Sequence, residues 1–299
     1  MWFGRQFARW REFRTRTIAQ WRDYPLQEGA SLASGRYVVE RHIGTGSFGL
    51  AYVAVERESG VRRLLKHNKP SKGELGRELL RREGRWLEQL SHPGVPAAVD
   101  RFAARGRVVL VTELMEGRNL EQLLVEDGAR FDERSTLELA LGVADILAHV
   151  HGQGIVHLDV RLPNVLVRDG RVSLVDFGLA RAIGERIPLL DDAEALLLPE
   201  GAAALPFGET KRRMRQPTVQ ADLYALGHLM LFLLYTEFEE PTGEADGANA
   251  TAGWEAELRL SADVKKIVRR LLQLDPPYDS VTQFVADAGD RLNRLFREG

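Results

Sequence analysis

Short β-type apolar runs separated by glycines follow one another from position 37 onward. They read YVVERHIG, LAYVAVE and VRRLLKH, and glycines or short polar turns bound them, as is typical of strands. A charged stretch with helical spacing follows at about 72–90, and two more strand-like runs occupy 97–102 and 108–114. We expect a small β-rich lobe with one helix over residues 35–115.

Helical periodicity dominates the rest of the chain. After Gly117 the apolar residues recur every three to four positions in four stretches, at 133–151, 221–238, 261–274 and 280–296. Residues 239–253 are acidic and glycine-rich without periodicity, and we interpret them as a loop. The pattern predicts an α+β fold in which a larger, mainly helical lobe, residues 116–299, follows the β-rich one.

The first 34 residues form a separate compositional unit, a basic and aromatic helical extension. Six arginines lie in its first 24 residues, beside a set that recurs at helical spacing: Phe3, Phe7, Trp10, Thr17 and Trp21. Pro25 and then Gly29 end the pattern. An amphipathic helix of this kind can bind an anionic membrane surface, the groove of a partner protein or the small lobe of its own chain. The sequence of residues 1–24 does not distinguish between these three.

Composition narrows the class of protein. With 299 residues, 44% hydrophobic and 28% charged, the chain has the make-up of an ordinary globular protein, and its net charge of -2 gives no general attraction to nucleic acid. The lack of cysteine excludes disulfides and favours a cytoplasmic protein. The most apolar run, 229–235, is far shorter than the roughly 20 residues of a spanning helix, so we expect at most a peripheral membrane contact.

A glycine-rich motif stands between the first two predicted strands, and it consists of Gly44, Thr45, Gly46, Ser47, Phe48 and Gly49. The motif alone is weak evidence, because glycine hairpins match it by chance. Residues 50–54 continue as a strand, whereas a dinucleotide-binding fold would open a helix there. A glycine hairpin between strands lays backbone N–H groups over nucleotide phosphates. At this point the chain begins to resemble the Hanks-type, or eukaryotic-like, protein kinases.

Two further motifs strengthen the resemblance. HLDVRLPN at 157–164 is similar to the kinase catalytic loop, and Asp176-Phe177-Gly178 begins twelve residues after Asn164, spaced for a β-hairpin. Asp222 opens a helix similar to the central helix of the large lobe, where this Asp supports the catalytic-loop backbone. The resemblance covers roughly residues 36–297. It implies the bilobal protein-kinase-like fold, and the pattern favours a bacterial Ser/Thr kinase.

The resemblance implies an ATP site. Lys66 would hold the α- and β-phosphates and pair with Glu83, which lies nine residues before His92 of the His-Pro turn. The remaining cofactor-binding residues would line the adenine pocket, and they are Ala51, Leu64, Thr112, Glu113, Met115 and Leu166. The family usually has Val and Ala where this chain has Ala51 and Leu64. The swap conserves volume overall, but a Leu64 that fills the pocket would weaken ATP binding.

The resemblance also assigns the catalytic and metal-binding positions. Asp159 would accept or orient the proton of the acceptor hydroxyl, and Asn164 and Asp176 would hold Mg²⁺, with Mn²⁺ as an alternative ion. Arg161 occupies the place of the usual loop lysine, from which it can reach the γ-phosphate. Arginine at this offset also occurs in some tyrosine kinases, whereas the rest of the pattern favours a Ser/Thr acceptor on a protein substrate.

The chain departs from the family at the residue before Asp159. The family's arginine there grips the phosphate of the activation loop through charge-assisted hydrogen bonds, and Leu158 cannot do so. We therefore predict an enzyme that needs no activation-loop phosphate.

The segment that shapes the peptide platform departs furthest. Leu198-Pro199-Glu200 is a candidate for the family's Ala-Pro-Glu motif, but it lies 22 residues before Asp222, and Tyr278 replaces the arginine that would pair with its Glu. A basic cluster follows, which suits an acidic substrate, a phosphate or a solvated surface equally well: Lys211, Arg212, Arg213 and Arg215.

Two other functions compete with a protein kinase. A small-molecule kinase of related fold usually has Gly at position 158 and varies the Asp-Phe-Gly motif. A pseudokinase, which binds partners without turnover, would be expected to have lost Lys66, Asp159 or Asp176, and the chain keeps all three.

Overall fold

The computed structural model describes residues 23–186, 206–238 and 253–298. They belong to two compact units. One comprises the chain up to Ser91 together with Pro96–Met115, and the other comprises His92–Val95 and the chain from Glu116 onward. The Leu198-Pro199-Glu200 candidate and most of the acidic 239–253 segment lie outside the described residues.

The first unit is a six-stranded antiparallel sheet with one helix. The strands are β1 (Ser31–Leu32), β2 (Tyr37–Thr45), β3 (Gly49–Glu56), β4 (Arg62–Asn68), β5 (Ala98–Ala104) and β6 (Arg107–Glu113), and the helix α1 spans Gly73–Gln89. The order across the sheet is β1-β2-β3-β4-β6-β5. Strand alternation places Tyr52 and Leu65 in an apolar cluster on one face and Lys66 on the other face, where α1 packs.

Residues 23–34, the part of the predicted extension that the structure describes, form no α-helix and hold β1 and the start of a 3₁₀ turn, Ala33–Gly35. Pro25 and Gly29 end the helical pattern, and β1 pairs with β2, with Leu32 opposite Tyr37. Leu32 is buried in the apolar cluster of the sheet, and the backbone N–H of Leu26 donates to the Tyr52 hydroxyl at 3.0 Å. These contacts attach residues 26–32 to the sheet of the first unit. Residues 1–22 lie outside the described residues.

Asp23 links this N-terminal stretch to the beginning of α1. Its carboxylate accepts hydrogen bonds from the backbone N–H of Ser71 at 3.0 Å and from the Ser71 hydroxyl at 2.5 Å. Ser71 belongs to a single 3₁₀ turn, Pro70–Lys72, that leads into α1. The acceptor therefore satisfies donors that a helix start leaves without intrahelical partners.

The second unit is mainly helical. Its helices are α2 (Leu120–Val125), α3 (Glu133–Gly152), α4 (Pro206–Met214), α5 (Val219–Leu234), α6 (Trp254–Glu257), α7 (Ala262–Leu271) and α8 (Val281–Glu298). Five short strands accompany them, β7 (Arg118–Asn119), β8 (Ile155–Val156), β9 (Val165–Arg168), β10 (Arg171–Leu174) and β11 (Arg181–Ala182). Among the described residues no helix has the length and apolarity needed to cross a membrane.

Helix α5 forms the core of this unit. It is apolar on nearly all sides and mostly buried, with Phe232 exposed, and α3, α4 and α7 pack around it. Gly227 allows the close approach of α7, because a Cβ atom at this position would lie 2.8 Å from the Cβ of Leu271. The α5–α7 contact therefore depends on the missing side chain.

Replacing Gly227 by Ala should destabilise the protein by about 1–3 kcal/mol, because the new methyl group overlaps a backbone-proximal atom that cannot rotate away. The matched control is Gly289→Ala on α8, where a Cβ atom would meet nothing within 4 Å. That change should raise stability by about 0.5–1 kcal/mol through helix propensity. Urea unfolding of the two variants measures both effects, and equal stabilities would contradict the packing argument.

Candidate active site

The glycine motif of the first unit forms the predicted hairpin. Thr45 pairs with Leu50 across β2 and β3, and the N–H of Gly46 donates to the carbonyl of Gly49 at 2.9 Å. Gly49 lies so close to β4 that a Cβ atom would approach the carbonyl oxygen of His67 to 2.8 Å. The turn also holds Ser47 and Phe48, and the carbonyl of Phe48 accepts from the N–H of Lys69 at 2.8 Å.

Lys66 and Glu83 form an ion pair within the first unit. The ammonium nitrogen of Lys66 donates to Oε1 of Glu83 at 2.6 Å, and the Glu83 side chain is only 5% exposed. Lys66 extends from the central strand β4, whereas Glu83 lies on the buried face of α1. A charge pair removed from water to this extent is stable only when each charge meets its partner, which fixes the lysine relative to the helix.

Three of the predicted adenine residues of the first unit share a sheet face with Lys66, and they are Ala51, Leu64 and Thr112. Ala51 is directly opposite Lys66, and Leu64 lies two positions before it on the same strand, opposite Thr112. Thr112 is buried and its hydroxyl donates to the carbonyl of Glu113 at 3.1 Å. Glu113 and the half-buried Met115 end this unit. The remaining predicted residue, Leu166, lies in the second unit on β9, paired with Asn119 and Ser173.

Asp222 holds the backbone of the catalytic loop from the core of the second unit. Its carboxylate is completely buried, with Oδ2 accepting from the N–H of His157 at 2.8 Å and Oδ1 from the N–H of Leu158 at 2.7 Å. Nε2 of His151 also contacts Oδ2 at 2.8 Å. These bonds confirm the predicted support of the loop by this Asp.

The loop backbone at Leu158 is strained. Its φ angle of 61° lies in the left-handed region, which costs a side-chain-bearing residue about 1–3 kcal/mol. The side chain is 2% exposed and packs in an apolar cluster with Val156 and Ala221. The residue that replaces the family's arginine therefore contributes to the hydrophobic core.

His157 joins the loop to the Asp-Phe-Gly motif. Its Nδ1 accepts from the N–H of Asp159 at 3.2 Å and its Nε2 lies 3.2 Å from the carbonyl of Val175, a pattern that requires the neutral ring with hydrogen on Nε2. Complete burial lowers the pKa of His157, which favours the same neutral form. The His157 ring also packs edge-to-face against the ring of Phe177, with the two ring centroids 4.6 Å apart.

The carboxylate of Asp159 is held by three side chains. The amide nitrogen of Asn164 donates to Oδ2 at 2.8 Å and to the Asp159 carbonyl at 2.9 Å. The Nε of Arg161 lies 3.3 Å from the same Oδ2. Arg215 donates to Oδ1 at 3.1 Å and to the carbonyl of Leu158 at 2.6 Å. The predicted catalytic residues of this unit are thus in direct contact.

A tight hairpin brings Asp176 next to Asn164. Asp169 and Gly170, with φ angles of 48° and 75°, form the two-residue turn between β9 and β10. The strands end with Val165 opposite Leu174, and the N–H of Val175 then donates to the carbonyl of Asn164 at 2.9 Å. Asp176 follows at once, also with a left-handed backbone, at φ 67° and ψ 72°. Both predicted metal ligands therefore lie at the base of one hairpin.

Arg215 contacts the catalytic loop in a way that the sequence does not predict. In the sequence it belongs, with Lys211, Arg212 and Arg213, to a basic cluster that suits an acidic substrate, a phosphate or a solvated surface. Arg212 is exposed and Arg213 pairs with Glu209 at 2.7 Å, but Arg215 turns inward to the catalytic loop. No local pattern separates the three arginines, and the contact with Asp159 spans 56 positions.

The two units, each with its own motif, have the organisation of the kinase class of phosphotransferases. The family model of the protein kinase domain matches residues 37–279, and the chain belongs to this family. The predicted resemblance to Hanks-type protein kinases and the predicted bilobal fold are therefore confirmed.

Individual relatives agree with this assignment. The chain is 31% identical to a probable serine/threonine-protein kinase of Bacillus subtilis, YbdM, over 92% of its own length and 94% of that protein. It is 26% identical to serine/threonine-protein kinase B of Synechocystis over 81% of its length, but it spans only 44% of that protein. The PknI kinase domain of Mycobacterium tuberculosis has a similar fold, with a TM-score of 0.61 at 21% identity over 89% of this chain and 99% of that one. The bacterial character of the resemblance is confirmed as well.

Replacing Asp222 by Asn should destabilise the protein by about 1–3 kcal/mol, because an amide has one oxygen for two buried N–H donors and places its NH₂ group against the other. Asp263→Asn is the matched control, since Asp263 also lies in the first turn of a helix but is 47% exposed and pairs with Arg294 at the surface. The control should change stability by less than about 0.5 kcal/mol. Thermal unfolding measures both, and equal losses would contradict the role of Asp222.

Proposed function

We propose that this protein is an ATP- and Mg²⁺-dependent protein kinase that transfers the γ-phosphoryl group to Ser or Thr hydroxyls of a protein substrate. The observation that carries the proposal is the arrangement around Asp159, where Asn164 holds the carboxylate and the base of the hairpin ties Asn164 to the residue before Asp176. The names of the bacterial relatives support the Ser/Thr acceptor.

Asn164 and Asp176 fit the requirements of Mg²⁺. The amide nitrogen of Asn164 is used on Asp159, so its oxygen is the end left to face a cation, and Asp176 adds a carboxylate. Within the described ranges no three acidic or histidine side chains converge as a ready-made metal site. Mg²⁺ commonly takes one or two protein oxygens and completes its shell with water and substrate phosphates. When bound, the ion would neutralise charge on the phosphates, and Mn²⁺ would accept the same donors.

The residues then divide the reaction between them. Lys66, fixed by Glu83, would hold the α- and β-phosphates under the backbone N–H groups of the glycine hairpin. Asp159 would orient the acceptor hydroxyl and take its proton as the new O–P bond forms and the bond to the leaving ADP breaks. The side chain of Arg161 is 59% exposed, and it would reach the γ-phosphate by giving up its 3.3 Å contact with Asp159.

Two features support activity without phosphorylation of the activation segment. Leu158 is enclosed in the core and offers no cation for a phosphate. Between Phe177 and Asp222 the sequence contains only two hydroxyl-bearing residues, Thr210 and Thr218. The chain therefore lacks the arginine that would bind an activation-segment phosphate, and it has few hydroxyl groups there that could be phosphorylated.

Residues 1–24 are the proposed contact with an anionic membrane surface or a partner protein, on the strength of their arginines and aromatic residues. The cysteine-free composition supports a cytoplasmic location.

Incubation with ATP and Mg²⁺, followed by mapping of phosphosites by mass spectrometry, tests the proposed function. We expect phosphate on Ser or Thr of the protein itself or of a generic protein substrate. The control is Asp176→Ala, which removes a metal ligand and should lower transfer by at least about 100-fold. Phosphate on tyrosine would correct the acceptor class. No phosphate on any protein would favour a pseudokinase or a small-molecule kinase instead.

The double variant Thr210→Ala, Thr218→Ala should retain at least about half of the wild-type kcat. A phosphate on either threonine would find no arginine at position 158 to bind it. Steady-state rates on a generic protein substrate, with intact mass confirming the absence of phosphate on the segment, measure the effect. Loss of activity in this variant at unchanged melting temperature would show that a segment phosphate is required.

A further inference from the structure

Arg215 connects the end of the activation segment to the catalytic loop. The guanidinium bridges two oxygens of the loop, the carbonyl of Leu158 at 2.6 Å and Oδ1 of Asp159 at 3.1 Å. Its side chain is 21% exposed, compared with 39% for Arg213, which pairs with a surface Glu. A planar guanidinium is suited to such a two-point contact, and a lysine ammonium is not.

The residues after Arg215 are anchored as well. The carbonyl of Pro217 accepts from the N–H of Gly184 at 2.7 Å, which ties the end of the segment to the stretch that follows the Asp-Phe-Gly motif. Thr218 then precedes α5 as its N-cap, and the first turn of α5 contains Asp222. The Arg215 contact is thus part of a continuous path from the segment to the buried carboxylate under the loop.

The two carboxylate oxygens of Asp159 have different partners. Oδ2 faces Asn164 and Arg161, whereas Oδ1 faces Arg215 alone among the described residues. A carboxylate oxygen accepts two hydrogen bonds, so Oδ1 retains one acceptor position beside the guanidinium. This position is where an acceptor hydroxyl would bind, and Arg215 therefore sets the direction of the oxygen that receives the proton.

We propose that Arg215 is a positioning residue of the phosphoryl transfer, and that it replaces the phosphate-dependent link between the activation segment and the catalytic loop. In the usual arrangement the loop provides the arginine and the segment provides a phosphate. Here the segment provides the guanidinium and the loop provides the oxygens, so the link needs no modification. This inference rests on the proposed kinase function and specifies how Asp159 is held in position without phosphorylation of the segment.

The test is a steady-state comparison of Arg215→Ala, Arg215→Gln and Arg215→Lys with wild type on ATP, Mg²⁺ and a generic protein substrate. A reacting group misplaced by about 1 Å lowers the reaction rate by up to about 100-fold. The kcat of the Ala variant should therefore fall by about 10- to 100-fold, while its KM for ATP should change by less than about twofold. Lys, which keeps the charge, should retain more activity than Gln. Arg259→Ala, on an exposed arginine between α6 and α7, is the control and should match wild type.

A double-mutant cycle separates positioning from folding. In an Asp159→Asn background, removal of Arg215 should lower the residual rate by less than about threefold, because its partner charge is already gone. A loss in that background as large as in the wild type would overturn the proposal, as would an Arg215→Ala variant with kcat within twofold of wild type. An inactive wild type would overturn the proposed function itself, whereas an active wild type with a fully active Arg215→Ala variant overturns this inference alone.

Discussion

A single buried carboxylate organises the second unit. Asp222 lies at the start of an apolar helix with no exposure to solvent, and a charge in that environment is tolerable only because loop N–H groups and His151 converge on it. The same bonds hold Leu158 in a backbone conformation it would not adopt by itself. The directions of Asp159 and Asn164 follow from that conformation, so the chemistry of the loop depends on a group that touches no substrate.

Much of the fold was predictable because local rules and tertiary contacts agree. The residues after Gly49 continue as a strand, which distinguishes the glycine hairpin from a helix-opening motif. Asp169 and Gly170 specify a two-residue turn, and the hairpin they close sets the spacing between Asn164 and Asp176. The pairing of Lys66 with Glu83 followed from the shared register with His92. The first two signals lie within a few positions of the residues concerned, whereas the third depends on fixed spacing over 17 positions.

The features that could not be predicted depend on contacts between residues far apart in the sequence. Strand β1 is two residues long, too short for any periodicity, and only its pairing with β2 reveals it. Arg215 lies among other arginines, and its inward orientation results from a contact with a distant loop. The sequence shows that Leu158 replaces an arginine, but its place in the apolar cluster with Val156 and Ala221 depends on tertiary packing. Tertiary contacts of this kind have no counterpart in local spacing.

Family membership and folding unit do not begin at the same residue. The match to the family starts at Tyr37, yet the carboxylate of Asp23 satisfies both donors of Ser71 at the start of the helix that carries Glu83. A chain cut at the family boundary would lose that acceptor and the edge strand that covers Tyr37 together. The helix that carries Glu83 is therefore stabilised by residues that lie before the stretch matched by the family model.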